Sequence, residues 1–300
     1  MKKLIIMSDI HYDLNQLTPT ELDILGETLT SVGTTHVHFA GDIANDAYQG
    51  TVPFIQYFNK NFPFSVTFNL GNHDMSLLSE EEIENFNNPD FLNFETRTLS
   101  NDLKLFAFNG WYDYTFAKTN HPEKIRTFKN SFWFDRKIHR VGTDPEITER
   151  VLTRLKIALE ELKDEKLVIA THFVPRQEFI HYSNAYKNRW NTLNAFMGSK
   201  YFGECFAAYP NIQQVVFGHT HYRFDDLKIG ATTYSAKPFG YVREWQLTDS
   251  FAKKYQLDCP SDPTNIPHRY REIKKHPDFP SYRRKHLASE FRKAMTIIEY

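Results

Sequence analysis

Eight polar residues stand out in this sequence: Asp9, His11, Asp42, Asn72, His73, His172, His219 and His221. They occur in the segments SDIH, AGDIAN, LGNHD, ATHF and FGHTH, each at the end of a short apolar run. Two carboxylates, an amide oxygen and several imidazoles form a mixed oxygen and nitrogen ligand set. That set suits Mn²⁺, Fe or Zn²⁺ better than Ca²⁺ or Mg²⁺, which take mainly oxygen, or Cu(I), which takes sulfur. Each piece alone is weak, because an Asp-x-His pair is common and a lone strand-end histidine is usually structural. Gly71 and Gly218 sharpen the signal, since a glycine lets the backbone turn tightly beside a metal or anion.

For these residues to meet, the chain must bring their strands together. Apolar runs rich in β-branched and aromatic residues read as buried strands at 3–9, 36–42, 65–74, 103–110, 166–172, 213–221 and 228–236. Helical stretches lie between them: Pro19–Leu29 behind Thr18, Val52–Phe58, a capping-box start at Ser79 with Glu82, and Thr148–Leu162. The alternation predicts an α/β architecture, and a second half with few helices suggests a further sheet. Parallel strands in one sheet end on one edge, so distant residues at their carboxyl ends can share a small volume.

Composition narrows the setting. Three hundred residues, 41% of them hydrophobic, support one large core. The net charge of -1 gives no whole-molecule attraction to nucleic acid or membrane. Residues 251–300 carry eleven Lys/Arg against six Asp/Glu, a net of +5, which leaves -6 for the first 250. The expected organisation is a main domain over 1–250 and a basic C-terminal extension over 251–300. Two cysteines are too few for a disulfide framework, and no apolar run is long enough for a secretion signal or a membrane span. A reducing, cytoplasmic setting is expected.

In this order the motifs resemble the signature of calcineurin-like metallophosphoesterases, here in the diverse bacterial branch. The resemblance extends from residue 8 to 221. It implies a four-layer α/β/β/α sandwich with a dinuclear site along one edge of the two sheets. It further implies that Asp9, His11 and His221 bind one metal, that Asn72, His172 and His219 bind the other, and that Asp42 bridges them. His73 takes the place of the general acid. The implied cofactor is a pair of divalent transition-metal ions, Mn²⁺ first and Fe or Zn²⁺ next. Two divalent ions less two carboxylates leave about +2, or +1 with a bridging hydroxide, a charge that attracts a phosphate ester. Such a pair can activate a water for in-line attack, and a non-ligand imidazole can protonate the leaving alkoxide.

The pattern departs from the phosphoprotein phosphatase branch. Asn45 stands where that branch has Asp, no Arg follows, and the third motif ends in Asp74 instead of Glu. Asp74 and Asn45 are therefore the candidates to orient His73. Two aromatic-rich inserts, about 108–147 and 173–210, each follow a strand end. They are expected to wall the site, with Trp111 and Tyr112 facing the cleft and Arg176 and Arg189 near the substrate phosphate. His36 and His38 read as ordinary strand histidines, and Asp13 as a solvated loop carboxylate.

The expected activity is metal-dependent hydrolysis of a small phosphodiester or phosphomonoester, a nucleotide among the candidates. Two alternatives are a nuclease that grips DNA or RNA with the basic tail and a metal-silent scaffold. The acidic main domain argues against the first, and the filled ligand slots argue against the second. No membrane partner is expected, and oligomeric state is left open.

Overall fold

The computed structural model describes residues 1–118, 121–182, 190–257 and 266–300. Four strands, β1 (Lys3–Met7), β2 (His36–Ala40), β3 (Ser65–Asn69) and β10 (Thr296–Glu299), form one sheet in the order β10-β1-β2-β3. The other holds β4 (Glu95–Ser100), β5 (Leu103–Phe108), β6 (Lys166–Thr171), β7 (Ile212–Phe217), β8 (Leu227–Ile229) and β9 (Thr232–Ala236), in the order β4-β5-β6-β7-β9-β8. Strands β1, β2 and β3 run parallel, as do β5, β6, β7 and β9, so each group delivers its carboxyl ends to one edge.

Strand periodicity divides the core. Leu4, Ile6, Ala40, Leu105, Ala107, Val168, Ala170 and Val216 pack together between the sheets. Their neighbours Ile5, Met7, Val37, Phe39, Phe106, Phe108, Ile169 and Phe217 turn to the outer faces, beneath the helices. Small aliphatic groups thus fill the middle, and the large aromatic rings lie outside. This arrangement of two sheets flanked by helices is the sandwich expected from the sequence.

On β2 and β3 the inner face is polar. Ser65, His36, Thr67, His38 and Asn69 form a hydrogen-bonded ladder with contacts of 2.9, 2.7, 2.9 and 2.9 Å. Asn69 Oδ1 accepts from His38 Nε2–H, so His38 Nδ1 accepts from the Thr67 hydroxyl. Thr67 in turn accepts from His36 Nε2–H, and His36 Nδ1 accepts from Ser65. Every member is satisfied while both rings are neutral.

The helices follow local signals. Capping boxes start Pro19–Ser31 at Thr18, Glu80–Glu84 at Ser79 and Asp144–Glu161 at Thr143. The last begins four residues before the expected start, where Thr143 and Glu146 cap it and Pro145 sits in its first turn. The segment read as one strand over 228–236 is a hairpin, folded where Gly230 has φ +61°. Residues read as a basic extension enter the main fold: β10 pairs antiparallel with β1, from Lys3 opposite Glu299 to Ile6 opposite Thr296. In the helix Phe279–Lys293, Arg283 bonds Glu21 at 2.7 Å, and buried Glu290 accepts from Arg223 and from the Leu247 amide. Among the described residues no helix is long and apolar enough to cross a membrane.

Candidate metal centre

Turns at the carboxyl ends of β1, β2, β3, β6 and β7 bring Asp9, His11, Asp42, Asn72, His172, His219 and His221 together. Two groups emerge, Asp9–His11–Asp42–His221 and Asp42–His172–His219. Within each, one candidate ligand atom per residue lies within 4.8 Å of the others, and Asp42 belongs to both. Asn72 joins the second group, its Oδ1 3.2 Å from His172 Nε2.

The donor set fits divalent ions. His11 Nε2 and His221 Nε2 are 3.1 Å apart, as are His172 Nε2 and His219 Nδ1. Two nitrogens bound at about 2.0–2.1 Å to one ion are separated by about that distance. Three of the four outer nitrogens are committed: His172 Nδ1–H donates to Ala40 O, His219 Nε2–H to Phe196 O, and His221 Nδ1–H to Glu244 Oε2, at 3.1, 3.1 and 3.0 Å, while His11 Nδ1 is buried without a partner among the described residues. Each bond fixes a tautomer and turns the remaining lone pair inward. Asn72 Nδ2 donates to Asp135 Oδ1 at 2.7 Å, which turns its oxygen inward as well. Asp42 Oδ2 is buried without a hydrogen-bond partner, as an open ligand position would be.

The backbone is bent to the same end. Asp9, His11, Asp42, His219 and His221 have φ of 57°, 42°, 54°, 67° and 51°, in the left-handed region. Such conformations cost about 1–3 kcal/mol each and collect at functional sites. Gly71 and Gly218 are required by close approach, because a Cβ at either would overlap the carboxylate of Asp42 or Asp9.

Protons balance the cluster when it holds no metal. Burial opposes the Asp9 carboxylate, yet the hydrogen bond from His221 and the nearby imidazolium charges hold it at about 2. Burial also opposes a charge on His221, but Asp9 and Glu244 raise it to about 10. His172 is raised against burial to about 9 by Asp42, whereas burial and the His172 charge drive His219 down to about 3. Incoming cations would displace the protons of His172 and His221.

Asp74 and Asn45 prove to have different tasks. Asp74 accepts from the amides of Asp42, Ile43, Ala44 and Gly71 and from the Thr51 hydroxyl, at 2.5–3.1 Å. Burial and the Asp42 charge push Asp74 up to about 7 against these five bonds, which clamp the Asp42 turn. His73 Nδ1 instead faces Asn45 Oδ1 at 2.5 Å. Asp13, expected to be merely solvated, accepts from the Asn45 amide at 3.0 Å and braces that partner.

The aromatic expectation needs correction. Trp111 and Tyr112 are wholly buried and face the interior of the insert, not the cleft. Their rings stack at 4.7 Å, Trp111 donates to Asp144 at 2.9 Å, and Tyr112 packs on Phe173 and Phe196. Arg176 is corrected too: Glu178 at 2.9 Å and the Tyr234 ring occupy its guanidinium. Arg189 lies outside the described residues. The inserts do reach the centre through other residues. Phe134 stacks on His73 at 3.9 Å, Asp135 holds Asn72, and the Phe196 carbonyl holds His219.

Two further residues went unnoticed in the sequence, Tyr241 and Glu244, both on the loop after β9. Glu244 orients His221, and the Tyr241 hydroxyl lies 3.4 Å from His73 Nε2. Extending the strand-end rule to β9 would have found them, because β9 runs parallel to β7 and ends on the same edge.

The fold is similar to that of a phosphopantetheinyl hydrolase from Mycobacterium tuberculosis, at 16% identity and a TM-score of 0.61, over 82% of this chain and 92% of that one. A dimetal phosphatase from Danio rerio matches at 12% identity and a TM-score of 0.46, over 79% and 87% of the two chains. No curated protein matches the sequence. The family model for calcineurin-like phosphoesterases matches residues 2–223, spanning all five motifs, so the chain belongs to that family and is a metal-dependent phosphoesterase.

Proposed function

We propose that the chain hydrolyses a small phosphomonoester or phosphodiester, with a nucleotide as one candidate substrate. Asp9, His11 and His221 hold one divalent transition-metal ion, Asn72, His172 and His219 hold the other, and Asp42 is shared. The observation that carries this reading is the pair of ligand groups meeting at Asp42, with His73 beside them and outside both. The oxygen and nitrogen donors suit Mn²⁺ first, and Fe or Zn²⁺ next. Such ions, when bound, neutralise phosphoryl charge and supply a nucleophile at neutral pH.

The protein's own groups do the rest. The Asp42 turn is clamped by Asp74, so its carboxylate stays between the two groups. His73 donates its backbone N–H to Asp42 Oδ1 at 2.8 Å, which fixes where its ring begins. Asn45 receives Nδ1–H and Phe134 covers one ring face, so Nε2 is left to deliver a proton to the departing oxygen. The neutral amide of Asn45 leaves that proton easier to release than a carboxylate partner would.

The nuclease reading finds less support. Part of the C-terminal basic surface is engaged internally: Arg283 pairs with Glu21, and Arg292 and Lys293 hydrogen-bond Ser31 and Gln246. A cytoplasmic setting accords with the free, buried thiol of Cys205. Mn²⁺-loaded protein should be assayed in parallel on a monoester, a diester, cyclic nucleotides and polymeric DNA and RNA. Turnover confined to polymers, falling steeply with salt, would replace the small-ester reading by the nuclease.

A further inference from the structure

Tyr241 lies on the loop between β9 and the helix Gln246–Lys254, and its ring is packed on three sides. His11 lies at a centroid distance of 4.6 Å, His221 at 4.5 Å, and the Arg243 guanidinium at 4.1 Å. The backbone is pinned as well. Asn15 donates to Gly240 O at 2.9 Å and accepts from Val242 N at 2.7 Å, while Tyr241 N donates to Glu244 Oε2 at 2.9 Å. A ring held in this way presents its hydroxyl at a place set by the fold. The hydroxyl has one hydrogen-bond contact among the described residues, His73 Nε2 at 3.4 Å. That distance is long for a bond between these atoms, so a good acceptor is still wanting.

We infer that Tyr241 is a second donor to the leaving group, its hydroxyl hydrogen-bonding the departing ester oxygen beside His73 Nε2–H. The inference rests on the reading of His73 as general acid. An oxygen about 2.8 Å from each donor closes a triangle on the 3.4 Å base, so one atom can accept from both. As the P–O bond breaks, its electron pair passes to that oxygen, and the proton comes from His73 Nε2. Tyr241 keeps its own proton and stabilises the charge in transit.

The test compares Tyr241→Phe, which keeps the ring packing, with His73→Ala in the metal-loaded full chain. Substrates run from alkyl through phenyl to dinitrophenyl phosphoesters, and metal content and inhibition by orthophosphate are measured alongside. Tyr241→Phe should lose about 10- to 100-fold in kcat on alkyl and phenyl esters and little on dinitrophenyl esters. Metal content and the orthophosphate inhibition constant should not change. An equal loss on every ester, or weaker orthophosphate inhibition, would mean that the hydroxyl holds a phosphoryl oxygen, and the inference would fall. No loss on any ester would overturn it too. If His73→Ala lacks leaving-group dependence while Tyr241→Phe shows it, the reading of His73 falls, the proton must come from elsewhere, and only the hydroxyl's contact with the leaving oxygen stands; the reverse pattern sinks Tyr241 alone.

Discussion

Two aromatic regions of this protein look alike in sequence and behave differently in the fold. The first begins at Trp111 and Tyr112, within a stretch holding nine aromatics over 108–134; the second is the loop 238–245, PFGYVREW. Both follow a parallel strand of the same sheet, and both begin at the edge where the ligands gather. Gly110, at φ +82°, starts the first, and its Trp111 and Tyr112 end up in the core against Phe173, Phe196 and Asp144. The second keeps to the edge, pinned by Asn15, and Tyr241 lies against three histidines of the centre. Aromatic density marks a mostly packed insert here, which reaches the centre at its far end where Phe134 stacks on His73, whereas the shorter loop sets Tyr241 directly against it.

The comparison can be scaled, then attacked. Asp42→Asn sets the floor: because Asp42 alone belongs to both ligand groups, the variant should lose more turnover than His11→Ala or His172→Ala. Near-normal turnover of Asp42→Asn at saturating Mn²⁺ would remove the shared ligand from the reading. Trp111→Ala should act on stability, costing about 3–5 kcal/mol in denaturant unfolding, while the remaining folded protein keeps its substrate ranking and metal content. A changed ranking with unchanged stability would put Trp111 back in the cleft and break the contrast. Tyr241→Phe should do the opposite, shifting stability by less than about 1 kcal/mol, since the ring contacts survive the loss of one weakly bonded hydroxyl.

The last effect belongs to the polar ladder, and it vanishes at neutral pH. Burial holds His36 at about 3 and His38 at about 4, against an ordinary histidine value of 6.5. Below pH 6.5 the unfolded chain binds protons that the folded ladder refuses, so stability falls as pH drops toward 4 and is fully present above 6.5. Thermal scans of metal-free protein between pH 7 and 4.5 should show that slope. His36→Gln, whose amide can still donate to Thr67 and accept from Ser65, should make it shallower; an unchanged slope would clear the ladder of the effect.

Much of the centre was legible because its logic is topological. Parallel strands carry their last residues to one edge, so Asp9, Asp42, Asn72, His172 and His219 could be grouped from sequence position alone. What stayed hidden depends on contacts that no local pattern encodes. Whether Trp111 turns inward is decided by Asp144 and Phe173, more than thirty residues away. The choice of Asn45 over Asp74 as the partner of His73 is a matter of side-chain reach within one turn. Strand β10 has only four residues behind a long helix, and its pairing with β1 is set by the tertiary fold. The left-handed backbone of five candidate ligands leaves only a weak trace in residue type, since Asp and His adopt it more readily than most residues but lie elsewhere far more often.

The pairing of β10 with β1 also sets a timetable. The strand that leads into Asp9 and His11 leaves the ribosome some 290 residues ahead of the strand that covers its outer edge. At about 5–20 residues per second, β1 waits roughly 15–60 s with one row of backbone donors and acceptors unpaired. A helix that anchors the Tyr241 loop through Glu290 arrives just as late. For this chain the first-made half of the centre is held open by the order of synthesis, and a folding helper that shields the β1 edge would act during that interval.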